Sequence, residues 1–101
     1  MLYKPGDRVV VRDDMKVEEY YCNKDNEDAA ARLVKPMNDL AGKTVTIYRI
    51  ASASIDRKFY RIDADGGMFF WSDNMFYGLE EEVLGEDIEQ SSQSIMAFIS
   101  R

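Results

Sequence analysis

Residues 58–71 read KFYRIDADGGMFFW. Two aromatic, β-prone runs flank an Asp-Gly-Gly turn, and that pattern predicts a hairpin: a strand over 58–63, a turn at ADGG and a second strand over 68–71. Alternation along MFFW sends either Phe69 and Trp71 or Met68 and Phe70 inward, and the other pair outward. Phe70 is assigned to the centre, with Phe76 beyond it, and Trp71 and Tyr77 to the rim. DADGG also resembles the opening of a calcium loop. Counting from Asp63, however, puts Asn74 at the twelfth position, where a bidentate Glu is needed, so the hairpin reading stands.

Working outward, KTVTIYRI (43–50) is the clearest strand, with Val45 and Ile47 on one face and Thr44, Thr46 and Tyr48 on the other. The polar ASASID joins it to the hairpin. Downstream, SDNMF reads as a single turn and LEEEVL as a last short strand. Near the start, Pro5 and Gly6 turn the chain into a strand over 8–12, RVVVR. Between these lies the segment 16–36. KVEEYYC reads as extended, anchored by Val17, Tyr20 and Tyr21. DNEDAAARL reads as a brief helix capped by Asp25 or Asn26 and stopped by Pro36. MNDLAG adds a helical or 3-10 turn that leaves through Gly42. The predicted core is Val9, Val11, Val45, Ile47, Tyr60, Ile62, Phe70 and Phe76. At the end, Leu84, Ile88, Ile95 and Ile99 fall at helical offsets, although SIMAFIS also suits a strand.

The chain has 101 residues, 46% hydrophobic and 12% aromatic, which suits one compact domain. One cysteine, Cys22, excludes an internal disulfide framework, and the absence of histidine leaves no Cys/His zinc set. The longest apolar run, IMAFI, is far below the ~20 residues that span a bilayer, and MLYKPGDR has no apolar core of signal-peptide length. A soluble cytoplasmic protein is expected, with no membrane partner.

Charge is distributed unevenly. Residues 73–101 hold seven carboxylates against Arg101, so the whole net charge of −6 resides there. Such a balance opposes direct nucleic-acid binding and suits a basic partner surface, or else a solvated, solubilising end.

The ordered set KPGDRVVVR, MNDLAGKTVTI, FYRIDADGG and FFWSDNMF resembles the small SH3-like barrel proteins of phages and prophages of Gram-positive bacteria, with an SH3-like repeat of the mind-bomb type. The resemblance covers roughly residues 4–78. It implies a mainly β fold, an SH3-like barrel of about five strands with short 3-10 or helical turns over 1–78. Two features depart from the pattern: a loop insertion at 16–36, and an acidic extension over 79–101, expected to be helical and packed on the barrel or on a partner. The resemblance also implies a mobile-element origin and action in a host bacterial cytoplasm, but no particular activity.

The residues offer little to catalysis. Without histidine there is no Ser-His or Cys-His pair, and Cys22 has no evident activator. Asp13–Asp14 and Asp63/Asp65 sit at turns, where Asp is favoured for backbone reasons. No phosphate loop occurs and no cofactor is expected. Arg57, Lys58 and Arg61, interleaved with Phe59 and Tyr60, are too few for a nucleic-acid surface.

A non-enzymatic protein binder is therefore expected. In the first reading, Glu80, Glu81, Glu82, Glu86, Asp87 and Glu89 imitate a nucleic-acid backbone against a basic groove. That groove would belong to a host nucleic-acid-binding defence enzyme, inhibited as by an anti-CRISPR protein. In the alternative, an SH3-like module recognises peptides through Tyr20, Tyr21, Trp71 and Tyr77, with Tyr48 and Phe69 as further aromatics. Ile88, Ile95, Met96 and Ile99 could instead pair two copies, so the chain is expected as a monomer or a homodimer.

Overall fold

The computed structural model describes residues 2–83. The predicted helix or strand over 86–99, the boundary of the acidic extension beyond Val83, and Glu86, Asp87 and Glu89 lie outside that range. Within it the chain is mainly β, as expected, with six strands in two sheets.

Strands β1 (Arg8–Val11), β4 (Thr44–Ser54), β5 (Arg57–Ile62) and β6 (Phe76–Leu79) form an antiparallel sheet in the order β5-β4-β1-β6. Strand β4 is long enough to serve two neighbours. Its start pairs with β1, where Val9 faces Val45, and the rest pairs with β5, where Ile47 faces Ile62. Register shifts at Ile47/Arg49 and Ser52/Ser54 bend it between the two tasks. The core side carries Val9, Val11, Val45, Ile47, Tyr60, Ile62 and Phe76, all buried as expected.

Several local expectations fail, each for a tertiary reason. DNEDAAARL is not a helix. It forms β3 (Asn26–Arg32), paired with β2 (Tyr20–Asn23) in a separate two-stranded sheet. Ala29, Ala31 and Leu33 alternate into the core, and pairing with Tyr20–Cys22 outweighs the helix propensity of three alanines. Pro36 does not stop a helix either. It sits in the first turn of α1 (Lys35–Asn38), where its missing N–H costs nothing, and it delivers Met37 to the core. ASASID is not a loop down to Ser54, because β4 runs that far.

The stretch 68–71 does not form a strand. Only Trp71 bridges to Tyr60, through reciprocal backbone hydrogen bonds of 2.8 and 3.0 Å. Asp65 gathers the turn instead: Oδ1 accepts from the N–H groups of Gly67 and Met68, and Oδ2 accepts from Trp71 Nε1 at 2.9 Å. With its N–H satisfied, the Trp71 ring can be fully buried. It stacks on Phe76, 5.7 Å between centroids and 17° between planes. The rim position expected for Trp71 is thus overturned, and Phe70, expected at the centre, is half-buried. LEEEVL is not a strand: β6 comes earlier, and Glu80–Val83 forms a helical turn, α2. The predicted turn SDNMF is present as a 3-10 turn over Asp73–Met75.

Candidate functional site

The insertion at 16–36 is the hairpin β2–β3, and it stands against β5. Between them opens a groove of about 330 Å³. Ala31, Met37 and Phe59 form its buried floor, and the half-buried Phe69 and Phe70 form one wall. The wall is braced from behind. Phe70 packs on Phe59 at 5.1 Å between centroids, and the Arg61 guanidinium lies 4.3 Å from the Phe70 ring centre while donating to the carbonyl of Gly67. That bracing explains why Phe70 is neither central nor free in solvent. Arg32 and Arg57 stand at the groove's margin, opposed by Asp28.

The aromatic candidates are placed elsewhere. Tyr20 is exposed. Tyr21 accepts the N–H of Lys16 at 2.8 Å and has the Arg12 guanidinium over its ring at 5.7 Å. Tyr77 is exposed and donates its hydroxyl to Asp13, a bond that raises its pKa. Arg12 is also paired with Asp14 at 2.8 Å, and the guanidinium bond holds that carboxyl below its ordinary value. Tyr21, Arg12 and Tyr77 thus gather around one end of β1. Neither tyrosine lines the groove, and Trp71 is inside the core.

Among the acidic candidates, Glu80 is engaged by Arg8 at 3.0 Å, whereas Glu81 and Glu82 are exposed on α2. Both Asp63 and Asp65 are held by turn hydrogen bonds, Asp63 Oδ1 receiving the Thr46 N–H at 3.1 Å. Cys22 is half-buried, with its carbonyl receiving Asn74 Nδ2 at 2.6 Å.

A polar network missed in the sequence fastens the hairpin that makes the groove. Asn23 Nδ2 donates to the Lys58 carbonyl at 2.8 Å, and Asn26 Nδ2 to that of Asp56 at 2.6 Å, tying β2–β3 to the β4–β5 turn. Asn23 Oδ1 accepts the Asp73 N–H, and Asp73 Oδ1 accepts the Lys24 N–H, both at 2.8 Å. Burial raises the pKa of Asp73 against the opposing effect of that hydrogen bond. Burial likewise pushes the nearby Tyr60 hydroxyl up to about 12, and this hydroxyl accepts the Tyr3 N–H at 3.0 Å.

The sequence signal for the groove was the period-two spacing of Ala29, Ala31 and Leu33, which three consecutive alanines mask as helix. Among the described residues, no group of three or more His, Cys, Asp or Glu side chains could hold a metal ion, and no helix is long and apolar enough to cross a membrane. No protein-family model matches this chain, and neither does a curated protein or a solved structure.

Proposed function

We propose that this chain is a non-catalytic protein-binding domain that takes a peptide segment of its partner into the groove between β3 and β5. One observation carries the reading. An apolar groove of about 330 Å³ has a floor and an aromatic wall fixed by packing, at the size where ligand sites begin. The resemblance to SH3-like barrels supports it, since such barrels recognise segments along aromatic-lined grooves.

The test is selection of a displayed random peptide library on the full-length protein, with Ala53→Trp as the blocking variant. Ala53 is exposed at the groove mouth, so an indole there fills the groove without entering the core. Clones that bind the wild type and lose at least tenfold in affinity on Ala53→Trp support the reading. Clones indifferent to it overturn the reading.

A second reading keeps the acidic end as the contact, on the observation that Glu81 and Glu82 are exposed on α2. The Tyr77–Asp13 bond ties Asp13 and its neighbour Asp14 to β6, directly before α2. There the chain would act as a phage anti-defence protein, imitating phosphates against the basic groove of a host nucleic-acid enzyme. Loss of partner binding in Glu81→Gln/Glu82→Gln, with Ala53→Trp unaffected, would select this reading.

A further inference from the structure

The groove has a strand edge on one side and arginines around it, and together they specify what it would hold. On β3, the Leu33 N–H is bonded to the carbonyl of Glu19 at 2.9 Å. Antiparallel ladders alternate, so Tyr21 and Ala31 exchange hydrogen bonds across the hairpin, while Ala30 and Arg32 turn their N–H and C=O groups to the other edge. Among the described residues no strand pairs with β3 on that side, since its sheet holds only β2 and β3. Both residues line the groove.

The edge of β5 opposite is closed by contrast. Tyr60 is paired with Trp71, Lys58 gives its carbonyl to Asn23, and Ile62 gives its carbonyl to Gly67. An added strand therefore has one edge to join, that of β3. Side chains on the face toward Phe59 and Phe70 would enter the apolar space.

Charge selects the partner. Arg49 and Arg61 are direct cross-strand neighbours on β4 and β5, an arrangement that like charges disfavour. Neither has an ion pair among the described residues, and neither does Arg57. Arg61 is fixed behind the groove wall by Phe70 and Gly67, and Arg49 lies 5.9 Å from the ring centre of Tyr48, whose hydroxyl end packs against Gly67. Arg57 thus lines the apolar slot, and Arg61, two residues beyond the floor residue Phe59, stands behind its wall with Arg49 as its cross-strand neighbour.

We infer that the groove binds an acidic, extended segment of a partner protein, added as a strand along the outer edge of β3, with apolar side chains on Phe59 and Phe70 and carboxylates drawn to Arg57 at the margin and to the positive field of Arg49 and Arg61 beyond it. This rests on the groove reading above and adds the chemistry and backbone mode of the ligand.

The experiment starts from clones selected on the full-length protein and sensitive to Ala53→Trp. They should be enriched in Asp and Glu spaced between apolar residues. Affinity of a synthetic clone peptide should fall about tenfold or more on Arg49→Gln/Arg57→Gln, two exposed positions without an ion pair among the described residues, and should weaken as salt rises. N-methylation of alternate peptide bonds in one register should abolish binding, and in the other register leave it intact. Groove-dependent clones that are not acidic, or that ignore both the arginine variants and N-methylation, overturn this inference and leave the groove reading standing. If no clone depends on the groove, both fall. A synthetic peptide of residues 84–101 provides the last arm. Its displacement of the clone peptide would assign the groove to this chain's own terminus or a second copy, overturning the assignment to a separate partner.

Discussion

Asn23 and Asp73, fifty positions apart, lock the insertion hairpin to the 3-10 turn. Asn23 Oδ1 accepts the N–H of Asp73, and Asp73 Oδ1 accepts the N–H of Lys24, the residue next to Asn23. Both side chains are 2% exposed. Removing Asn23 leaves the buried Asp73 N–H without its acceptor, and removing Asp73 does the same to the part-buried Lys24 N–H. Asn23→Ala and Asp73→Ala should each destabilise by about 1–3 kcal/mol. Because the two share one network, the double variant should cost less than the sum, as urea unfolding of the four proteins would show.

The same carboxylate gives a pH signature. Burial holds the folded-state pKa of Asp73 above its ordinary 3.8. The native protein then retains a proton that the unfolded chain has released, so this group favours folding most below 3.8 and loses that contribution as pH rises through the folded value. Asp73→Asn keeps an oxygen for Lys24 but does not titrate. Between about pH 7 and about pH 4, the wild type should therefore gain stability relative to Asp73→Asn. A relative loss over that window would show that the hydrogen bond, rather than burial, dominates.

Asp65 permits the full burial of the only tryptophan. In Asp65→Ala the indole N–H loses its acceptor, while the Gly67 and Met68 amides keep their backbone acceptors, and the change should cost about 1–3 kcal/mol. Intrinsic fluorescence reads this directly: emission blue-shifted in the wild type, shifted to the red in the variant before global unfolding. An unchanged spectrum would mean that packing on Phe76 alone holds Trp71.

Adjacent glycines should respond differently. Gly66 and Gly67 both have left-handed backbones, φ 68° and 75°. A Cβ on Gly66 meets nothing, so Gly66→Ala should cost only the backbone strain, about 1–2 kcal/mol. A Cβ on Gly67 would overlap the Tyr48 ring and hydroxyl. Gly67→Ala should thus be clearly the more damaging, and Tyr48→Ala should recover part of the difference in thermal unfolding.

The acidic end should tolerate neutralisation. Glu81 and Glu82 are exposed, and the Arg8–Glu80 pair is itself largely in solvent, with side chains 56% and 38% exposed. Glu81→Gln/Glu82→Gln should move stability by less than about 0.5 kcal/mol, and Glu80→Gln by no more than about 1 kcal/mol. Denaturation midpoints check both.

Where alternation was clean, the sequence sufficed. The valines of β1, the Val45–Ile47 face of β4 and the Tyr60–Ile62 face of β5 are legible because period-two burial leaves a local trace. The mainly β class and the turns at Gly42 and Asp73–Met75 followed from the same short-range chemistry. Tertiary contact decided the rest. Three alanines became a strand because Tyr20–Cys22 lay ready to pair with them, and Trp71 went inside because Asp65 could take its N–H. The groove needed β3, β5 and the 69–70 wall to meet, and no local window contains all three. Propensity and alternation act within a few residues, whereas the partner that satisfies a hydrogen bond or fills a space is chosen only when distant segments pack.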